Sequence, residues 1–179
     1  VSVVADTGEA AANDYEVFAS YYITQVTERG EESEPSDPTE VITRWDGSSS
    51  TIVFPTRNDA RAAFYRVYRT EGAGTFNFVA QVVALTNTGD YVDSVLSADL
   101  GSPCESESHN HPPEKLENLI SIGNGVLAGY FDNTLCFCEP YKPHAWPIDY
   151  QLAFPNDIMG IGSLDGSIAV TTKGNPWIV

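Results

Sequence analysis

The sequence predicts an all-β chain in two parts, a β-sandwich followed by an incomplete set of propeller-like strands. Three observations predict it. Runs of β-branched and aromatic residues recur along the first hundred or so residues, punctuated by Gly, Asn and Asp clusters. No stretch with helical periodicity is long enough to stand alone. The last third echoes itself at an offset of 41 residues.

The elements follow in order. Val17 to Thr27 is rich in Val, Tyr, Ile and Thr and reads as a long strand. Ser50 to Phe54 is a short one. Phe64 to Arg69 mixes apolar and basic side chains with the period-2 signature of a half-buried strand. Phe76 to Val83 and Tyr91 to Asp93 come next, with turns expected at Glu71–Gly74 and Asn87–Asp90. Only Asn58 to Ala63 has the makings of a helical turn. Alternation places Tyr22, Val26, Val53, Tyr65, Val67, Phe78, Ala80 and Val82 in the sandwich core. Residues 101–117 carry Pro, Ser and acid with almost no large apolar side chain, and read as a linker. The expected domains are therefore 1–100, the sandwich, and 118–179, the propeller-like strands.

In the second part, Gly125-Val126-Leu127-Ala128 is echoed by Gly166-Ser167-Ile168-Ala169, Ile120 by Ile161, and Phe137 by Ile178. Each copy reads as strand, Gly turn, strand, turn, strand. A strand-built period of this length is that of a propeller blade. One and a half blades do not close a propeller, so the remaining blades are expected beyond Val179. The start at Val1 and the strand-like end at Trp177–Val179 read as cut ends.

The formal net charge is −16, and residues 1–50 alone hold eleven acids against two arginines. Affinity for a phosphate backbone comes mostly from Lys and Arg, so nucleic-acid gripping is disfavoured, as is docking on an anionic membrane. No apolar run spans a bilayer, and no basic segment leads into an apolar stretch at the start.

Little in the sequence carries chemistry. Three cysteines, Cys104, Cys136 and Cys138, form no complete disulfide framework. Cys136 and Cys138 share a strand face about 7 Å apart, too far for an easy bridge, and read as buried thiols. His109 and His111 with Cys104, or Cys136 and Cys138 with His144, offer zinc-type atoms, but no C-x2-C or H-x3-H spacing occurs. The acids Glu28, Glu31, Glu32, Glu34, Asp37 and Glu40 do not alternate as a calcium loop requires. No hydrolase, zinc-protease or phosphate-loop motif is present. The expectation is no catalytic residue, cofactor or metal. Glu139 to Pro147 holds three prolines and reads as an ordered, irregular loop. Its Tyr141, His144 and Trp146 either plug a sheet edge or form a contact between subunits, where such residues concentrate binding energy.

Several pieces resemble known proteins. Tyr21–Thr27, then Gly30 to Ser36 (GEESEPS), then Thr39–Thr43 resembles the last two strands of a fibronectin type III domain. Ser50–Pro55, Phe64–Arg69, Phe76–Val83 and Tyr91–Asp93 resemble its second to fifth strands. That order implies an immunoglobulin-like sandwich that is permuted, or one whose beginning lies outside the chain; termini in such folds lie close together. Taken with Asn124–Pro147 and Ile168–Val179, nearly the whole chain resembles the tail tube or nozzle proteins of tailed bacteriophages. Glu139–Pro147 is the most specific stretch, and the acidic, His-bearing Glu105–His111 departs from the pattern. The resemblance implies a structural virion protein, met in the host cytoplasm during assembly, in a homo-oligomeric, six-fold ring with other tail and adaptor proteins. DNA would pass without specific binding, and Asp132, Asp157 and Asp165 would line the passage. The other readings are a surface adhesion or carbohydrate-binding sandwich module, and an accessory domain of a hydrolase.

Overall fold

The computed structural model describes residues 2–5, 15–55, 61–72, 74–83, 90–164 and 166–179. The protein is all-β, with antiparallel pairing throughout the described strands. It divides into two compact units, Val1–Glu107 and Ser108–Val179. No helix among the described residues is long and apolar enough to cross a membrane.

The first unit contains β1 (Ser2–Ala5), β2 (Glu16–Thr27), β3 (Ile42–Trp45), β4 (Ser50–Val53), β5 (Ala62–Glu71), β6 (Asn77–Val83) and β7 (Tyr91–Asp93). They form two sheets, β1-β4-β7 and β3-β2-β5-β6. Ile52 of β4 shares one apolar core with Ala19, Tyr21 and Ile23 of β2, Tyr65 and Val67 of β5, and Val79 of β6. The arrangement is sandwich-like, each sheet burying one face on the other. The expected strand over Tyr91–Asp93 has those bounds, whereas β1 has no counterpart in the sequence reading. Of the expected helical turn, residues 58–60 lie outside the described residues, and Ala62 and Ala63 belong to β5.

The core differs from expectation in phase. Ile52 and Phe54 are buried and Val53 is half-exposed, because Ser50 pairs with the inward-pointing Asp93 and fixes the alternation of β4. Tyr22 is buried, but on the opposite face from Tyr65 and Val67; it packs with Tyr68 and Cys104. β2 is thus covered on both sides over Ala19–Thr24. A bulge opposite Val67 and Tyr68 inserts Val79 into the core, leaves Ala80 and Val82 half-buried at its margin, and turns Phe78 to the Tyr22–Tyr68 cluster on the other face. Arg66 and Arg69 stand three apart and therefore point to opposite faces. Arg66 bonds Glu32 on one side, while Arg69 enters the core.

Arg69 joins a buried ionic cluster centred on Asp93. Asp93 Oδ2 accepts hydrogen bonds from Arg69 Nη1 (2.5 Å), Arg44 Nη1 (2.9 Å) and the Tyr21 hydroxyl (2.8 Å). Its other oxygen accepts from the Val95 N–H. Arg44 reaches the Ser48 carbonyl, and Arg69 Nη2 the Glu71 carboxylate. The side chains of both arginines and of Asp93 are sealed from solvent. Burial opposes the charge on Arg69, but Asp93 above all holds the guanidinium more basic than usual. Tyr21 is pushed up by burial and then by the Asp93 charge, so it remains a neutral donor.

β2 needs a partner beyond β3, which pairs only with Glu16–Ala19. The Pro-punctuated segment before β3 supplies it through every third residue. Ser33, Ser36 and Thr39 donate their N–H groups to the carbonyls of Gln25, Ile23 and Tyr21 (2.8–2.9 Å). Their hydroxyl oxygens accept the N–H groups of the same three residues (3.0–3.2 Å). Thr39 is spent on this clamp, which is why β3 begins at Ile42 rather than Thr39.

Residues 101–104, in the stretch expected as a linker, lie along the free edge of β6. The Phe78 N–H donates to Ser102 O and the Cys104 N–H to Phe76 O.

The second unit contains β8 (Glu117–Gly123), β9 (Val126–Phe131), β10 (Thr134–Phe137), β11 (Gln151–Ala153), β12 (Ile158–Leu164), β13 (Ser167–Thr172) and β14 (Trp177–Ile178). Two meandering sheets result, β11-β10-β9-β8 and β12-β13-β14. Both ends of β12 and of β13 lie 41 residues beyond those of β8 and β9. Ala128, Tyr130 and Leu135 of the first sheet share a core with Ile158, Ile161, Ile168 and Val170 of the second. The expected repeat therefore has a structural counterpart in strands. Neither sheet closes on itself.

Removing one partner from a sealed ionic cluster leaves uncompensated charge, a loss of about 3–5 kcal/mol. Asp93→Asn should lower first-unit stability by that order in urea melts. Lys173→Ala breaks only the exposed pair with Asp157 and should leave the midpoint where it is.

Candidate functional site

The Glu139–Pro147 loop is built by three prolines that supply no N–H and by a ring of short-range bonds. Lys142 N–H donates to Glu139 O, Ala145 N–H to Lys142 O, and Glu139 N–H to Ala145 O, which closes the loop on itself. Two further bonds tie it down, from the Tyr141 N–H to Gly125 O and from the Trp146 N–H to Asn110 O. Tyr141 takes φ 61°, and its ring lies on Gly125, itself at φ 71°. A Cβ at Gly125 would overlap that ring, so glycine is required there for contact as well as for backbone.

The three residues singled out in the loop have separate fates. Trp146 is buried, 2% exposed, among Cys136, Cys138, Leu116, Leu127 and Phe131; its indole N–H donates to Pro143 O. It is a plug. Tyr141 is 78% exposed and offers its ring outward. His144 is half-buried, edge-on to the His109 ring at 5.9 Å, and neither of its ring nitrogens has a hydrogen-bond partner among the described residues. His109 is buried, with Nε2 at 3.3 Å from Lys142 Nζ. The sequence offered His109 and His144 as members of different metal sets, and the fold brings them together instead.

No group of three or more His, Cys, Asp or Glu side chains among the described residues is placed to hold a metal ion. Cys104 belongs to the first unit's Tyr22–Tyr68 cluster, with its sulfur 3.3 Å from Ser106 Oγ. Cys136 and Cys138 are free, buried thiols on one strand face, as alternation predicts. Of the acids near the Gly30 turn, Glu32 accepts from Arg66, Tyr68 and Thr24, and Glu31 from Thr27. The chain matches no protein-family model and no curated protein.

Two outcomes are expected. Trp146→Ala should destabilise the second unit by about 3–5 kcal/mol, the usual loss for a buried aromatic, whereas Tyr141→Ala should leave its melting unchanged. Equal effects would mean that both rings pack inward. Burial pushes the Cys136 thiol from 9.0 up to about 11. The folded state therefore holds that proton more firmly than the unfolded one. The stability this contributes is complete below about pH 9 and is lost as the pH rises through 11. At pH 8, dithiobis-nitrobenzoate should label Cys136 only after urea is added; rapid labelling of native protein would show the Trp146 plug to be open.

Proposed function

We propose that the protein is a structural component of a bacteriophage tail, a nozzle or tail-tube ring subunit that forms part of the DNA passage and assembles with other tail proteins. The observation that carries this reading is the strand pair repeated at 41 residues, in a unit whose two sheets share one core. Blade-like repeats are the units from which closed, propeller-type bodies are made. The loop resemblance over Glu139–Pro147 supports the same reading, with Tyr141 as its outward anchor toward a neighbouring subunit.

Electrostatics supports it too. A conduit must release its cargo, and each phosphate neutralised by Lys or Arg adds a salt-dependent hold. A chain of net charge −16 repels a polyanion instead. Asp132 is exposed in a turn at φ 47°, and Asp157 is exposed beside Lys173; both suit a wall of the passage. Asp165 lies outside the described residues. The sandwich-like first unit favours a second reading, a surface adhesion or carbohydrate-binding module, because many such modules share that architecture.

Electron microscopy of the purified protein with its tail partners should reveal rings or tubes. Duplex DNA should not be retained at about 50 mM salt, where electrostatic binding is strongest. Salt-sensitive retention would overturn the conduit reading, and monomers that bind glycans would establish the second one.

A further inference from the structure

The second unit holds a groove of about 430 Å3 at the start of β11. Phe137, Pro140, Tyr150 and Leu152 give it apolar walls, and Gln151 and Asp149 are polar members of its lining. Asp149 is the sole charged residue of that lining and makes no hydrogen bond or ion pair among the described residues. A second carboxylate, Glu139, stands at the Tyr150 hydroxyl and raises that group's pKa. Tyr150 and Leu152 each keep 42% of their surface exposed, so the apolar wall is open to an incoming group.

An apolar trough with carboxylates at its lip and no cation in its lining is complementary to one kind of side chain. That side chain is apolar along its stem and positive at its tip. Arginine fits better than lysine. Its planar guanidinium stacks on a tyrosine ring while presenting paired N–H groups to a carboxylate. We propose that this groove receives an arginine, flanked by apolar residues, from a peptide segment of a partner protein. The stem lies along Phe137, Pro140 and Leu152, and the guanidinium sits between the Tyr150 ring and Asp149. The net charge of −16 favours a basic partner over a second copy of this acidic chain, since like charge slows encounter and opposite charge steers it. The inference stands whether or not the protein belongs to a virion.

The test is amide chemical-shift mapping on the labelled 179-residue chain, with the tripeptide amide acetyl-Leu-Arg-Leu as probe and its Glu analogue as control. Shifts should be confined to Phe137, Cys138 and Asp149–Leu152 and should saturate below about 10 mM peptide. The Glu analogue should give none. Asp149→Asn should weaken binding at least about threefold, as should raising salt from about 50 to 500 mM. Asp149 is exposed, so an unchanged melting curve should confirm that the variant is folded. Four results would overturn the proposal. These are no shift at about 10 mM, equal binding of the Glu analogue, binding undiminished in the variant, or groove signals that move with protein concentration alone. The last would place a second copy in the groove.

Discussion

One carboxylate organises the first unit. Asp93, on β7 of one sheet, is the meeting point of Tyr21, Arg44 and Arg69, which lie on β2, β3 and β5 of the other. Two guanidinium groups sealed in an apolar core are tolerable only with their counter-charge in contact. A slip of β7 by one residue would turn Asp93 to the other face and strand both cations. The cluster therefore fixes how the sheets are aligned, a thing that Val, Ile and Tyr side chains alone leave loosely determined. The inward phase of β4, with Ser50 and Ile52 pointing into the core, follows from the same pairing.

The second unit reaches order by a different route. Its core is apolar, and its Lys173–Asp157 ion pair lies at the surface. Definition comes from two strand pairs repeated in sequence and from tight turns at Asn124, Gly125, Asp132 and Gly166, all with positive φ. The Glu139–Pro147 loop then presses Trp146 into the space over Cys136 and Cys138. One side of that loop completes a core while Tyr141 remains outside, so two aromatic residues five positions apart take opposite environments.

This division explains what the sequence could and could not reveal. Strands were legible wherever β-branched and aromatic residues clustered, as over Val17–Thr27 and Tyr91–Asp93, and so was the repeat in the second unit. The burial of Arg69 was not. A basic residue in a strand reads as solvent-facing unless its counter-charge is known, and Asp93 lies 24 residues away, with Arg44 49 residues from the same carboxylate. Which of Tyr141 and Trp146 would turn inward was equally hidden, because both are amphipathic and the slot that selects Trp146 is made by β10 and its neighbours. The histidines near the loop were visible as residues but not as a pair, since His109 and His144 come together only through the fold.

The Ser33–Thr39 clamp has a bearing on how the chain withstands proteases. An acidic, proline-containing stretch between two strands has the composition of an exposed linker, the usual site of nicking. Here the backbone N–H groups of Ser33, Ser36 and Thr39 are engaged by β2, and their hydroxyls hold β2 in return. A protease must draw an extended segment into its own cleft, and this one is already bound. Cleavage within it therefore requires the segment to give up its bonds to β2, which keeps its own ladder with β5. The segment that looks most vulnerable is thus cut only after it has come away from β2, so its lifetime against digestion measures the opening of that edge.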